Sequence, residues 1–100
     1  MKTDAIGIKE TDNVATALRD IQPGEEANVA MGQEERRVSI QNAIPYGHKF
    51  AVRDIARGED IIKYGEVIGR ATKDIAFGTH AHIQNIESLR GRGDLGSGGR

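Results

Sequence analysis

Short runs in which apolar and polar residues alternate cover most of the chain, and this pattern predicts strands. Two of the runs flank Gly32-Gln33-Glu34 as in a β-hairpin. Runs this short, joined by glycine turns, favour a compact, bent β-fold over a wide flat sheet. The predicted strands are Ile6–Ile8 and residues 27–31, 36–40, 50–55, 61–64, 67–71 and 81–85.

One segment departs from the alternation and predicts a short helix over residues 13–20. Asp12 suits an N-cap position. Apolar residues then recur at helical spacing from Val14 to Ile21, and Pro23-Gly24 follows as a stop signal. The sequence therefore predicts a mainly β fold with one short helix.

The pattern Asp-Ile-x-x-Gly occurs three times, beginning at Asp20, Asp54 and Asp74. We interpret it as a reused turn, with the isoleucine in the core and the glycine at positive φ. The copies are unevenly spaced, which argues against a solenoid repeat.

Length and composition predict one domain, residues 1–87, followed by a flexible Gly- and Arg-rich tail, residues 88–100. The formal net charge of −1 and the 4% aromatic content argue against a nucleic-acid binder. The chain has no cysteine, no signal-peptide pattern and no apolar run of membrane-spanning length. A cytoplasmic protein without membrane contact is the expectation. A domain this small buries a modest core, so we expect a second chain to complete any catalytic cleft.

His80 and His82 are candidate metal ligands. Residues two apart on a strand point to the same face, so both imidazoles can approach one ion. Two imidazoles form part of a ligand set for zinc, iron or manganese, and His48 is a candidate third ligand. Carboxylate alternatives are Glu59, Asp60 and Glu66. The alternative interpretation is a solvated edge strand.

His48, between a proline-containing turn and a strand, is a candidate general acid or base near neutral pH. The alternative is a turn histidine that hydrogen-bonds to the backbone. A cationic set could bind an acidic, polyhydroxylated substrate, although charged residues are most often simply solvated. The candidate substrate-binding residues are Lys49, Arg53, Lys63 and Tyr64, with Arg70 as a further cation.

Five segments together resemble the SAF-type domain of the altronate and galactarate dehydratase family. The resemblance runs from about Ile6 to Leu95, and the Gly-His-Lys and Lys-Tyr-Gly segments are its most specific part. The segments are Asp12-Asn13-Val14-Ala15, the run from Ile44 to Ala51, Asp54-Ile55, the run from Ile62 to Gly69, and the run from Gly78 to Asn85.

This resemblance implies a β-clip fold and a role as the small subunit of a sugar-acid hydro-lyase. The activity it implies is loss of water from an acid such as altronate, which gives a 2-keto-3-deoxy acid. It also implies a large dehydratase subunit as partner and a divalent metal, iron or manganese. The roles implied are His48 in catalysis, His80 and His82 as metal ligands, and Lys49 or Lys63 on the substrate carboxylate.

Two alternatives stay open at this point. The similar small subunit of a sulfolactate sulfo-lyase would eliminate sulfite instead of water. A non-catalytic β-clip module for binding or assembly belongs to a different functional class. A homo-oligomer is a further arrangement that the sequence leaves open.

Overall fold

The computed structural model of the protein describes residues 2–88, and within them the chain forms nine short strands. Six of these strands form one sheet in the order β4-β3-β1-β2-β5-β8, and three form a second sheet in the order β6-β7-β9. Strands β1 and β3 are parallel, and the other neighbours are antiparallel. The strands are β1 (Ala5–Gly7), β2 (Val14–Ala17), β3 (Glu26–Met31), β4 (Glu34–Ser39), β5 (Lys49–Ala51), β6 (Asp60–Lys63), β7 (Glu66–Ala71), β8 (His80–Ala81) and β9 (Ile86–Ser88).

Alternation along the strands builds two small hydrophobic cores. In β3 every second side chain from Ala27 to Met31 is buried, while its neighbours are exposed or half-buried. The larger core lies under the six-stranded sheet and includes Phe50, which is fully buried. The smaller core packs Ile55, Ile61 and Ile75 between the two sheets. This architecture confirms the mainly β fold class and corresponds to a small β-clip domain.

The predicted helix over residues 13–20 is wrong, because no helix occurs within residues 2–88. Residues Val14–Ala17 form β2, which pairs with β1 and β5. Leu18, which the helical spacing assigned to the apolar face, is 46% exposed. A short apolar run is compatible with the periodicity of a helix and with that of a strand. Here the pairing with β1 and β5 makes residues Val14–Ala17 a strand.

Within residues 2–88 the predicted reused turn occurs four times, since Ile44-Pro45-Tyr46-Gly47 adopts it as well. The turns associate in two pairs through antiparallel bridges, Ile21 with Ile44 and Ile55 with Ile75. Each turn ends in a glycine at positive φ, between 83° and 91°. At Gly78 an added Cβ would also collide with the carbonyl oxygen of Ser39, so glycine is required there twice over.

The aspartate before each isoleucine binds the partner turn. Asp20 accepts the backbone N–H of Tyr46 at 2.7 Å. Asp54 and Asp74 accept those of Phe77 and Arg57 at 2.8 and 2.9 Å. The fourth turn has Ala43 in this position, and the residue that it would cap is Pro23. Because proline has no N–H, a carboxylate at position 43 would have nothing to accept.

The strand predicted over residues 81–85 is wrong in its bounds. The chain leaves β8 after Ala81 and turns, with the N–H groups of Asn85 and Ile86 donating to the carbonyl oxygen of His82. Of the predicted tail, Ser88 ends β9, and residues 89–100 lie outside the described residues. Across residues 2–88 there is no helix with the length and apolar character that crossing a membrane demands.

Candidate functional site

Three histidines from two distant parts of the chain meet at one end of the six-stranded sheet. His48 directly precedes β5, and His80 opens β8. Antiparallel pairing of these strands sets Lys49 opposite Ala81 and Phe50 opposite His80. His82 follows β8 in the turn. The fold therefore brings together the three imidazoles that the sequence singled out, but a strand followed by a turn does so instead of alternation along one strand.

The imidazoles are stacked closely enough to act as a unit. Nδ1 of His48 lies 2.9 Å from Nε2 of His80. The ring centroids of His48 and His82 are 4.3 Å apart with 26° between their planes. One ligand nitrogen from each ring lies within 4.8 Å of the other two. Nitrogens bound to one tetrahedral ion at about 2.0–2.1 Å are about 3.3 Å apart. The separations in the cluster therefore bracket the one that a shared ion requires, and rotation of the stacked rings would turn their nitrogens toward it.

Amide side chains hold the backbone of the two later histidines. Asn85 is 5% exposed, and its Nδ2 donates to the carbonyl oxygen of His80 at 2.9 Å. Its Oδ1 accepts the N–H of His82, also at 2.9 Å. Asn42 accepts the N–H of His80 at 3.0 Å. Both histidines therefore start from a fixed backbone, which lowers the entropy cost of gathering their rings around a ligand.

Pro45 removes the need for a glutamate at position 48, where two equivalent turns have one. In two of the four turns, a glutamate after the glycine accepts the N–H that follows the isoleucine, as Glu25 does from Gln22 and Glu59 from Ala56. In the turn before His48 that residue is Pro45, which has no N–H to satisfy. Position 48 therefore needs no carboxylate, and its side chain turns toward His80 instead.

Burial and the local electrostatics favour the uncharged form of two of the imidazoles, those of His80 and His82. Partial burial lowers the pKa of His80, and the neighbouring His48, His82 and Lys49 lower it further. The pKa of His82 is lowered by burial first and then by His48 and Lys49. Metal ions bind the neutral form of histidine, so the cluster is suited to ligate one near neutral pH.

A cavity of about 430 Å³ opens beside the cluster. Its polar lining includes His82 and two cations, Lys49 and Lys63. Burial lowers the pKa of Lys49, and the charge of Lys63 lowers it further. A bound anion would relieve the repulsion between the two ammonium groups. The cavity lining is Lys49, Lys63, Tyr64, Glu66, Ile68, His82, Ile83, Ile86 and Ser88.

The wall of the cavity that carries Lys63 and Tyr64 is a tight hairpin between β6 and β7. Tyr64 and Gly65 have φ values of 56° and 78°, as a two-residue type I′ turn requires. A tyrosine in this left-handed region is strained, because its Cβ crowds the backbone. Gly65 is tightly placed too, since an added Cβ would lie 3.1 Å from Cγ of Lys9.

Asp12, which is 1% exposed, holds this turn in place. Its Oδ2 accepts the N–H of Tyr64 at 2.9 Å, and its Oδ1 accepts that of Gly65 at 2.8 Å. Oδ2 also accepts the N–H groups of Ile8 and Lys9 at 3.0 and 3.2 Å. Burial raises the pKa of Asp12, but these four donors outweigh burial and leave the pKa lowered. The carboxylate therefore joins the segment before β2 to the turn that carries Tyr64.

Asn13 extends the same connection by imitating a strand neighbour of β6. Its Oδ1 accepts the N–H of Ile62 at 2.7 Å, and its Nδ2 donates to the carbonyl oxygen of Asp60 at 2.8 Å. Lys63 then places its Nζ 4.9 Å from the centroid of the Tyr64 ring. The hydroxyl of Tyr64 lies 3.4 Å from Oγ1 of Thr16 on β2.

Most of the predicted site residues lie together, and one does not. The three histidines form the cluster, while Lys49, Lys63 and Tyr64 line the adjoining cavity. Arg53 is outside the cavity lining and forms an ion pair with Glu59 at 3.0 Å. This pair repeats the contact of Arg19 with Glu25 in an equivalent turn.

Sequence reasoning missed the residues that position the site. Asp12 fits the pattern of a helix N-cap, and Asn85 reads as the end of a strand. The signal for Asp12 was the adjacent pair Asp12-Asn13 directly before an apolar run, since both side chains readily bind backbone groups. The signal for Asn85 was a side chain with both a donor and an acceptor three residues after His82, a spacing at which it binds that residue's backbone.

Comparison with known proteins gives consistent results. The sequence profile of the altronate/galactarate dehydratase SAF domain matches residues 3–89. Altronate dehydratase of Escherichia coli K12 is 45% identical over 83 residues, which is 83% of this chain and 16% of that enzyme. The alpha subunit of (2R)-sulfolactate sulfo-lyase from Chromohalobacter salexigens is 45% identical over 51 residues, 51% of this chain and 54% of that subunit. Its counterpart from Paracoccus pantotrophus is 34% identical over 62 residues, 62% of this chain and 92% of that subunit. The chain thus spans about a sixth of the length of the dehydratase it matches.

Proposed function

The chain belongs to the altronate/galactarate dehydratase SAF domain family, and from this premise we propose that it contributes part of the active site of a sugar-acid hydro-lyase. In this proposal the chain acts as a small subunit with a larger catalytic partner. The substrate is an acid such as altronate, and the product is a 2-keto-3-deoxy acid. The observation that carries the proposal is the convergence of three imidazoles beside a cavity that contains two lysines.

The donor set of this chain fits a divalent metal such as iron or manganese. Three imidazoles lie close together, and burial lowers the pKa of two of them, His80 and His82, so the set suits such ions. We assign His48, His80 and His82 to the metal. The ion would supply Lewis-acid assistance to the departing hydroxyl group. The role of His48 as general base, which the sequence suggested, stays a prediction, and a third-ligand role has the better geometric support.

The remaining residues of the cavity would bind and orient the acid. Lys49 and Lys63 would neutralise the substrate carboxylate, since both line the cavity beside His82. The hydroxyl of Tyr64 would donate a hydrogen bond to a substrate oxygen. Apolar side chains at the rim, including Ile83 at 83% exposure, would be covered by the larger partner.

Reconstitution tests the proposed activity. We expect the purified chain to be inactive alone and to raise keto-acid formation from altronate by the large dehydratase chain about 100-fold, as a positioned reactive group commonly does. His80→Ala should abolish that gain, whereas Arg53→Ala should keep it. Equal rates with and without this chain, across a panel of sugar acids, would exclude the proposal.

Replacing Lys49 by methionine tests the carboxylate contact. Hydrogen bonds to charged groups contribute about 1.5–3 kcal/mol, so KM of the reconstituted enzyme should rise about 10-fold to 100-fold. Lys73→Met is the matched control, because Lys73 is exposed and lies outside the cavity lining. An unchanged KM in Lys49→Met would remove this lysine from the binding site.

A second candidate function is that of the alpha subunit of a sulfolactate sulfo-lyase. The favouring observation is length, because the match covers 92% of the Paracoccus pantotrophus subunit. The same cations would bind a sulfonated acid. Release of sulfite from (2R)-sulfolactate, in place of keto-acid formation from altronate, would identify this activity.

A further inference from the structure

Gln84 contacts the imidazole cluster from the side opposite His48. Its Nε2 lies 3.2 Å from Nδ1 of His80 and 3.4 Å from the carbonyl oxygen of the same residue. The outer nitrogen of His80 therefore faces the glutamine, while the inner nitrogen faces His48 at 2.9 Å. Both ring nitrogens of His80 have a partner.

These contacts determine which nitrogen of His80 carries the proton. A carbonyl oxygen accepts hydrogen bonds and cannot donate, so the Gln84 atom near it is the amide NH₂ group. The same NH₂ group meets Nδ1 of His80, which must then be the acceptor. Neutral His80 consequently carries its proton on Nε2 and donates to Nδ1 of His48. His48 in turn carries its own proton on Nε2.

We propose that Gln84 is the positioning residue that fixes the tautomer and the ring orientation of His80. Asn42 and Asn85 hold the backbone of His80 without Gln84, so the contact that Gln84 alone supplies is the one to the ring. A ligating histidine commonly uses its outer nitrogen to bind a partner that fixes its orientation, and the loss of such a partner lowers metal affinity 10-fold to 100-fold. Gln84 can fill this role both in the metal-free cluster and when His80 binds a metal, because its amide carries a donor and an acceptor.

The two states differ in where one proton sits. In the metal-free cluster the proton is on Nε2, and Gln84 donates to Nδ1. When Nε2 serves as a ligand, the ring proton resides on Nδ1, and Gln84 accepts it through Oε1 after its amide rotates. The number of protons on the ring is unchanged. The contacts that are lost are the hydrogen bond between His80 and His48 and the one from Nε2 of Gln84 to the carbonyl oxygen of His80. This second state rests on the proposed metal-binding function, but the first does not.

Substitution by glutamate and by leucine tests the inference. A carboxylate cannot donate, so in Gln84→Glu the neutral His80 should carry its proton on Nδ1 and receive a hydrogen bond from Nδ1 of His48. In Gln84→Leu the preference should be lost. Long-range ¹H–¹⁵N spectra of the metal-free protein at pH 8 distinguish protonated from unprotonated ring nitrogens. We expect Nε2–H in the natural protein and Nδ1–H in the glutamate variant.

The second measurement is the affinity of each protein for Co²⁺, read from its absorption spectrum. We expect the glutamate variant to bind about 10-fold more tightly than the natural chain and the leucine variant about 10-fold more weakly. Gln33→Glu and Gln33→Leu are matched controls, because Gln33 is exposed in the turn between β3 and β4, and they should behave as the natural chain does.

The outcomes separate the two proposals. Nδ1–H in the natural protein, or a tautomer that the Gln84 variants leave unchanged, would overturn the inference about Gln84. Reversal of the tautomer in the glutamate variant, with no Co²⁺ uptake by any variant, would uphold the positioning of His80 and count against the proposed metal-binding function.

Discussion

Replacing Asp12 by asparagine should lower the free energy of unfolding by about 3–5 kcal/mol, because a buried carboxylate that accepts several backbone N–H groups is lost. The two carboxylate oxygens accept four backbone hydrogen bonds, and an asparagine side chain retains one acceptor oxygen. Its NH₂ group would face N–H donors. A domain of this size has a small total free energy of unfolding, so we expect Asp12→Asn to be partly unfolded at 25 °C. Urea unfolding at pH 7 measures the loss.

Lowering the pH should reduce the difference in unfolding free energy between the natural chain and Asp12→Asn. The pKa of Asp12 is lowered below its ordinary value of 3.8. A lowered pKa in the folded state adds stability that is fully present above the unfolded pKa and is lost as the pH falls through the folded pKa. The gap between the natural chain and Asp12→Asn should therefore be constant from pH 7 to about pH 5 and shrink below about pH 4.

The matched control for Asp12 is Asp74→Asn. Asp74 is exposed and accepts a single backbone N–H, that of Arg57. Its replacement should cost about 1 kcal/mol or less. A loss in Asp12→Asn no larger than that of the control would mean that the hairpin with Tyr64 and Gly65 keeps its geometry without the carboxylate. In that case another contact holds the wall of the cavity.

The β fold could be predicted from the sequence because alternation and glycine turns are local signals. The hairpin of β3 and β4 follows from the apolar face of β3, from Val38 in β4 and from a turn at Gly32. The segment over residues 13–20 could not be assigned in this way. Its apolar residues fit a helix. Val14–Ala17 nevertheless form a strand, because they pair antiparallel with β1 on one side and with β5 on the other, and local sequence does not reveal such pairing.

The candidate site divides along a similar line. Histidine and lysine are recognisable as candidate ligands and cations from residue type alone, so the sequence predicts the three clustered histidines and the two cavity lysines. Arg53 is also a cation, but its ion pair with Glu59 depends on how a turn folds. Asn85 and Gln84 act through hydrogen bonds to the backbone and ring of His80, and such contacts depend on geometry that residue type alone does not specify.

Replacing each histidine of the cluster by alanine should lower the affinity for Co²⁺ or Mn²⁺ about 70-fold to 900-fold. Apparent binding free energies of about 10–16 kcal/mol for four-ligand zinc sites correspond to about 2.5–4 kcal/mol for each ligand. His48, His80 and His82 contribute equivalent nitrogens to one point, so the three losses should be similar. Isothermal titration calorimetry of the isolated chain under anaerobic conditions measures them without requiring a partner or a substrate.

The pattern among the three variants discriminates between the two roles of His48. If His48 is the third ligand, His48→Ala weakens binding as much as His80→Ala does. If it is instead the general base, His48→Ala binds the ion normally and loses activity only after reconstitution with the large chain. Glu66→Gln is the control for charge near the cavity, and it should bind as the natural chain does, because Glu66 lines the cavity but is not one of the three clustered ligands. If His80→Ala and His82→Ala each bind the metal ion with the affinity of the natural chain, the proposed metal site is excluded, since two of its three nitrogens would then be dispensable.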